Sequence, residues 1–171
     1  MKTSRFARYM WHGVGGAEAW RTICDGEGLR LPKVHAHDVG DYGRAVYFTS
    51  SLVRAKIYSK RLNGHYPIVR AYVRLKNALV LDWSKGQAMH PESPAFQIVD
   101  WLRKNYGDPL HGTDQQRKDA TIRWRYELMG KGIDGIVALH SQDIEVAVYD
   151  PDEGIRSYTC LLKKAKGSVA S

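Results

Sequence analysis

Gly43-Arg44-Ala45-Val46-Tyr47-Phe48-Thr49-Ser50-Ser51-Leu52-Val53-Arg54-Ala55-Lys56-Ile57-Tyr58 is where the chain changes its local period. Ala45 to Thr49 is β-branched and aromatic and reads as a strand. Ser50 or Ser51 supplies a hydroxyl that can accept from the exposed N–H groups opening a helix, and Leu52, Ala55 and Tyr58 follow at helical spacing. A strand therefore feeds directly into a helix, and one tyrosine sits on each.

Upstream, Tyr9 to His12 reads as a short strand ending in the turn Gly13 to Gly16. Ala17, Trp20, Ile23 and Cys24 then mark one face of a helix, which Gly26 and Gly28 stop. Leu31 to Tyr42 loses periodicity and has loop composition, so it is expected to cover a ligand. Downstream, Ile68 to Leu75 alternates strictly, with Val69, Ala71, Val73 and Leu75 on the buried side, and Ala78 to Trp83 is read as a further strand. Helices are expected from Pro94 to about Tyr106 and from Asp114 to Met129, the second ended by Gly130 and Gly132. Strands at Gly135 to Leu139 and Ile144 to Tyr149, a turn at Asp150 to Asp152, and a strand at Arg156 to Leu162 complete the pattern. Strands early and late with helices between them predict an α+β domain of mostly antiparallel strands around a cleft. Residues 1–162 are assigned to that domain and 163–171 to a basic, flexible tail.

A chain of 171 residues with 43% hydrophobic and 26% charged residues buries enough apolar surface for one domain. No apolar run approaches the roughly 20 residues that span a bilayer, and the first residues lack the apolar core of a secretion signal, so a cytoplasmic protein without membrane association is expected. Cys24 and Cys160 are read as buried, reduced side chains, Cys24 within the helix face. His35 and His37 lack a third ligand at metal-binding spacing, and the Gly13 to Gly16 turn lacks the pattern of a phosphate loop. The net charge of +8 favours a polyanionic partner. Arg70, Arg74, Arg117, Lys118, Arg123 and Arg125 are read as solvated faces, although Trp124 and Tyr126 interleave the helical set in a way suited to stacking bases.

Four residues carry candidate chemistry. Tyr47 and Tyr58 can sandwich a flat ring between offset faces. Glu145 can hold a sugar hydroxyl, favour a cationic sugar and deprotonate an acceptor. His12 adds a donor and an acceptor, and Gly13 lets backbone approach a planar amide.

These segments resemble the ADP-ribosyltransferase superfamily, on the His-Tyr-Glu branch shared by diphtheria-type toxins and poly(ADP-ribose) polymerases. The resemblance lies in the order His12-Gly13, Gly28-Leu29-Arg30, Tyr47-Phe48, Tyr58, Gly132-Ile133-Asp134-Gly135-Ile136-Val137 and Glu145 followed by Val148-Tyr149-Asp150. It implies split antiparallel β-sheets around an NAD cleft with flanking helices. It further implies NAD as ADP-ribose donor, with catalytic Glu145, His12 and Tyr47 and a cofactor site of His12, Gly13, Arg30, Tyr47 and Tyr58, Arg30 lying toward the adenosine end. Val14 stands where the family usually has Ser or Thr after His-Gly, and Ala55 where polymerases often carry a serine. Asp143 replaces the Gln or Glu of arginine-modifying toxins, and the chain has no room for a polymerase regulatory domain, so single transfer to something other than arginine is expected. With the charge, this favours a nucleic-acid acceptor, RNA in particular, over a protein side chain. The resemblance also suggests a toxin, with an antitoxin or immunity protein as partner. The alternatives are protein modification, NAD hydrolysis, and a non-catalytic nucleic-acid-binding module.

Overall fold

A computed structural model describes residues 3–31, 40–84 and 90–164. Strand β1 (Thr3–Gly13) leads into helix α1 (Ala17–Thr22) and a π-turn at Ile23–Glu27. β2 (Val46–Thr49), α2 (Leu52–Tyr58) and β3 (His65–Asp82) come next, then α3 (Pro94–Tyr106), α4 (Asp114–Gly130), β4 (Gly135–Leu139), β5 (Ile144–Val148), the single turn α5 (Pro151–Gly154) and β6 (Ile155–Lys164). The class is α+β, a mixed six-stranded sheet with flanking helices. Among the described residues no helix is long and apolar enough to cross a membrane.

The strands form one hydrogen-bonded network in the order β1-β2-β5-β4-β3-β6, rather than two separate sheets, and β1 also pairs with β3. β3 causes this. It runs for 18 residues, lies antiparallel to β1 and β6, and at its C-terminal end takes β4 as a parallel neighbour. The expectation of two strands here is corrected to one. The pairing with β1 shifts register between Ser4 and Phe6, and Asp134 accepts from the backbone N–H groups of Lys76 and Asn77 at the shift. An extra residue in one strand reverses which side chains face inward. Val69, Ala71, Val73 and Leu75 accordingly enter one core, with Met10, Phe48 and Val146, whereas Leu79 and Leu81 enter the other, with Leu102, Trp124, Leu128 and Tyr149.

Other boundaries move for local reasons. β1 starts six residues before Tyr9 because Thr3 to Arg8 pair with β3. The first helix stops at Thr22, before Cys24, which is exposed and not buried. The turn at Asp150 is a capped helical turn, its carboxylate accepting from Asp152 and Glu153 N–H. Lys163 and Lys164 pair with Tyr66 and His65, so β6 outruns the expected domain end by two residues. Trp124 is buried in the second core and donates to the Gly107 carbonyl at 2.8 Å, which removes it as a stacking platform. His35, His37, most of the 31–42 loop and the tail beyond Lys164 lie outside the described residues.

Candidate functional site

The end of β1, β2 and the start of β5 meet at one recess of about 400 Å³, bordered by α2 and by Gly40-Asp41. Register builds it. Trp11 pairs with Thr49 and Thr49 with Glu145, so three neighbouring strands bring these residues side by side. His12, Gly13, Tyr47, Tyr58 and Glu145 all line the recess, joining parts of the chain more than a hundred residues apart. Arg30 does not line it; its guanidinium lies 3.3 Å from Glu27 on an exposed turn.

His12 Nδ1 lies 2.7 Å from the Tyr47 carbonyl. A carbonyl only accepts, so Nδ1 carries the proton, and burial holds the ring below the usual histidine pKa despite that bond. The neutral ring keeps Nε2 as an acceptor. Its face tilts against Phe48 with centroids 5.6 Å apart.

Tyr47 is fixed rather than free. Its hydroxyl donates to the Gly43 carbonyl at 2.6 Å and accepts from Tyr42 N–H at 3.0 Å, and burial raises its pKa well above the normal phenol. Tyr58, at the end of α2, is 61% exposed and presents an unclamped ring at the rim. Gly13 is required by α2 itself. A Cβ there would stand 2.1 Å from the Ala55 carbonyl oxygen and 2.8 Å from Ser59 N, so only glycine lets the helix that carries Tyr58 approach β1. Val14, in the first core, and Ala55, at this contact, are both fully buried, where a hydroxyl would need a partner.

Glu145 is the titratable centre. Its side chain is 20% exposed, and its pKa is raised to about 7 by burial first, then by Asp41 and Asp143, with Arg54 opposing them. His140 lies on the connection into β5, with Nε2 buried, without a hydrogen bond, and 3.8 Å from the Glu145 carboxylate. Burial and Arg54 keep that imidazole below its normal pKa and hence neutral.

The sequence reading missed what organises these groups. Asp143, with 2% of its side chain exposed, accepts from Thr49 Oγ1 at 2.7 Å, Ser50 Oγ at 2.5 Å and Ile144 N at 2.7 Å, and lies 3.3 Å from Arg54 Nε. Burial would push its pKa up, but the hydroxyl and backbone donors and Arg54 outweigh this and hold it below the usual carboxylate value. Asp143 thus pins β2 to β5 and holds Arg54, the single Lys or Arg among the described lining residues, at the recess. Ser51 remains to cap α2, accepting from Arg54 N–H. Alternation along Asp143-Ile144-Glu145 was the signal that could have placed Asp143 on the same face as Glu145.

No protein-family model matches this chain, and no curated protein matches it. Among solved structures it is similar to a chain from the crystal structure of the M. tuberculosis MbcT-MbcA toxin-antitoxin complex, at 13% identity and a TM-score of 0.43, covering 93% of this chain and 86% of that one.

Proposed function

We propose that this chain is an NAD-dependent mono-ADP-ribosyltransferase that releases nicotinamide and transfers ADP-ribose to a macromolecular acceptor, nucleic acid in preference to protein. One observation carries the reading: His12, Tyr47, Tyr58 and Glu145, singled out in sequence, border the same recess. The described part of the chain acts as one catalytic domain. A role as a toxin checked by a protein partner is the biological setting implied by the family resemblance alone.

Each group has work suited to its state. Tyr58 offers an exposed face for the nicotinamide ring against the fixed Tyr47, and Gly13 offers backbone to the carboxamide. Neutral His12 accepts from a ribose hydroxyl through Nε2. Arg54 supplies positive charge for the dinucleotide phosphates. Arg30, placed off the recess, is assigned no contact. Glu145, ionised, stabilises positive charge as the glycosidic C–N bond breaks and its electron pair leaves with nicotinamide. The acceptor's lone pair then forms the new bond to the same ribose carbon, and Glu145 takes the acceptor's proton.

The test is nicotinamide release by wild type and Glu145→Gln, with labelled NAD offered alongside RNA, DNA and protein. Release that falls by at least about 100-fold in the variant, with label on nucleic acid, is expected. Unchanged release in Glu145→Gln rejects the mechanism. Label on protein alone rejects the acceptor, and release with no labelled macromolecule assigns the chain to NAD hydrolysis.

A further inference from the structure

β1, β3 and β6 hold no Asp or Glu until Asp82, the last residue of β3, yet they carry Arg5, Arg8, Arg70, Arg74, Arg156 and Lys163 among their basic side chains. The net charge of +8 is thus concentrated in one part of the fold. Cross-strand partners share a face of a sheet; Arg8, opposite the buried Val73, lies on the other face, and the face that carries Arg70 and Arg74 is aromatic as well as basic. Tyr9 pairs with Tyr72, their ring centroids 5.1 Å apart, and Trp11 pairs with Arg70. The Arg70 guanidinium lies 4.5 Å from the Tyr9 ring centroid and 5.7 Å from that of Trp11. Tyr9 is 54% exposed, and Arg70 and Arg74 are exposed. Ser157 and Thr159 of β6, also exposed, stand opposite Tyr72 and Arg70.

The same face leads to the recess. One cross-strand row runs Thr159, Arg70, Trp11, Thr49, Glu145 through five successive strands. With strands about 4.8 Å apart, Arg70 stands roughly 15 Å from Glu145 along the row. α3 and α4 cover the other half of this face, over β4 and β5, through the core built on Leu102, Trp124 and Leu128. Trp11 borders both the recess and the basic array.

We propose that the exposed face of β1, β3 and β6 is a binding platform for single-stranded RNA that delivers the strand to the recess. Bases stack on Tyr9, Tyr72 and Trp11, an interaction every base can make. Arg70 and Arg74 meet phosphates, and Arg70 keeps guanidinium N–H groups for this while its Cζ lies over the Tyr9 ring. Ser157 and Thr159 provide hydroxyls for the sugar 2′-OH, which selects RNA over DNA. Double-stranded nucleic acid hides its base faces and does not suit this surface. Chemistry on the bound strand rests on the transferase reading; binding itself does not.

Fluorescence anisotropy with a short labelled oligouridylate and its deoxy counterpart tests it. Wild type is expected to bind the RNA with an affinity that falls as salt rises, and the deoxy oligomer more weakly. Tyr9→Ala and Arg70→Gln are each expected to weaken RNA binding about ten-fold. Both positions lie at the surface, and unchanged melting temperatures confirm that the variants fold. Their nicotinamide release from NAD without RNA is expected to match wild type. Undetectable binding by wild type, or variants that bind as tightly as it does, overturns the platform. Equal affinity for the deoxy oligomer overturns the choice of RNA. Absent nicotinamide release in a wild type that binds RNA sinks the transferase reading and leaves the platform standing.

Discussion

At the scale of single residues the site is governed by two carboxylates with opposite fates. Asp143 is buried with donors, and its charge is stabilised; Glu145 is buried with too few, and its charge is penalised. For a residue that must be ionised to act, kcat/KM for nicotinamide release should rise with pH through an apparent pKa of about 7. Asp41→Asn removes a neighbouring negative charge and should lower that pKa, whereas Arg54→Gln should raise it, each by on the order of one unit; identical profiles in all three proteins refute the assignment. Stability gives an independent check. The folded pKa of Glu145 lies above its value of 4.5 in an ordinary environment, so its contribution is complete below that pH and is lost as pH rises through about 7. Glu145→Gln, which has no charge to desolvate, should therefore be more stable than wild type at alkaline pH by about 3 kcal/mol, the gap closing in acid. Chemical denaturation at the two extremes measures this. Asp143 has the opposite sign: its depressed pKa contributes stability above about 4 that is lost as pH falls through the folded value. Asp143→Asn should cost about 3 kcal/mol at neutral pH, since it discharges an acceptor facing Thr49, Ser50 and Arg54.

At the scale of elements, the contact between α2 and β1 decides where Tyr58 stands. Both groups facing Gly13 are backbone atoms, so neither can swing away from a methyl group. Gly13→Ala should cost about 3 kcal/mol, as overpacking does, and should raise KM for NAD through displacement of Tyr58, whereas Gly15→Ala, with open space around it, should do neither. Melting curves and KM values for the two variants check this. The strand-to-helix unit from Ala45 to Tyr58 was legible in the sequence because its signals are local: β-branched and aromatic residues, a capping serine, then helical spacing. β3 was legible only in halves. Its inward set changes face at Lys76-Asn77, and that irregularity is held by Asp134, a partner more than fifty residues away. Residues that read as a strand break locally are a bulge once β1 and Asp134 are paired with them. Glu145 was legible through a motif and Asp143 through its alternation with Glu145, but Arg54, which opposes the rise in the Glu145 pKa, reaches the recess only because β2 pairs with β5, and no local pattern specifies that pairing.

At the scale of the molecule, the recess lies at a seam between two hydrophobic cores, and its far wall depends on the second of them. The turn at Gly40 to Gly43 carries Asp41 to the recess. It is held by the Tyr47 hydroxyl, by Tyr149, whose hydroxyl donates to the Tyr42 carbonyl at 2.8 Å, and by α4, where the Trp124 Cβ would lie 3.0 Å from a Cβ at Gly43. Trp124 has no solvent exposure and anchors α4 to the loop after α3 through its bond to Gly107. Trp124→Leu leaves that carbonyl without its donor and opens a cavity, at a cost of about 3 kcal/mol. Loosening the turn would draw Asp41 away from Glu145 and weaken one of the charges that raise its pKa. The variant should therefore show a lower melting temperature together with a kcat/KM profile displaced to lower pH, although Trp124 does not line the recess. A fall in stability with an unmoved profile would mean that the turn is held by Tyr47 and Tyr149 alone, and that the second core supports the fold without setting the chemistry of the site.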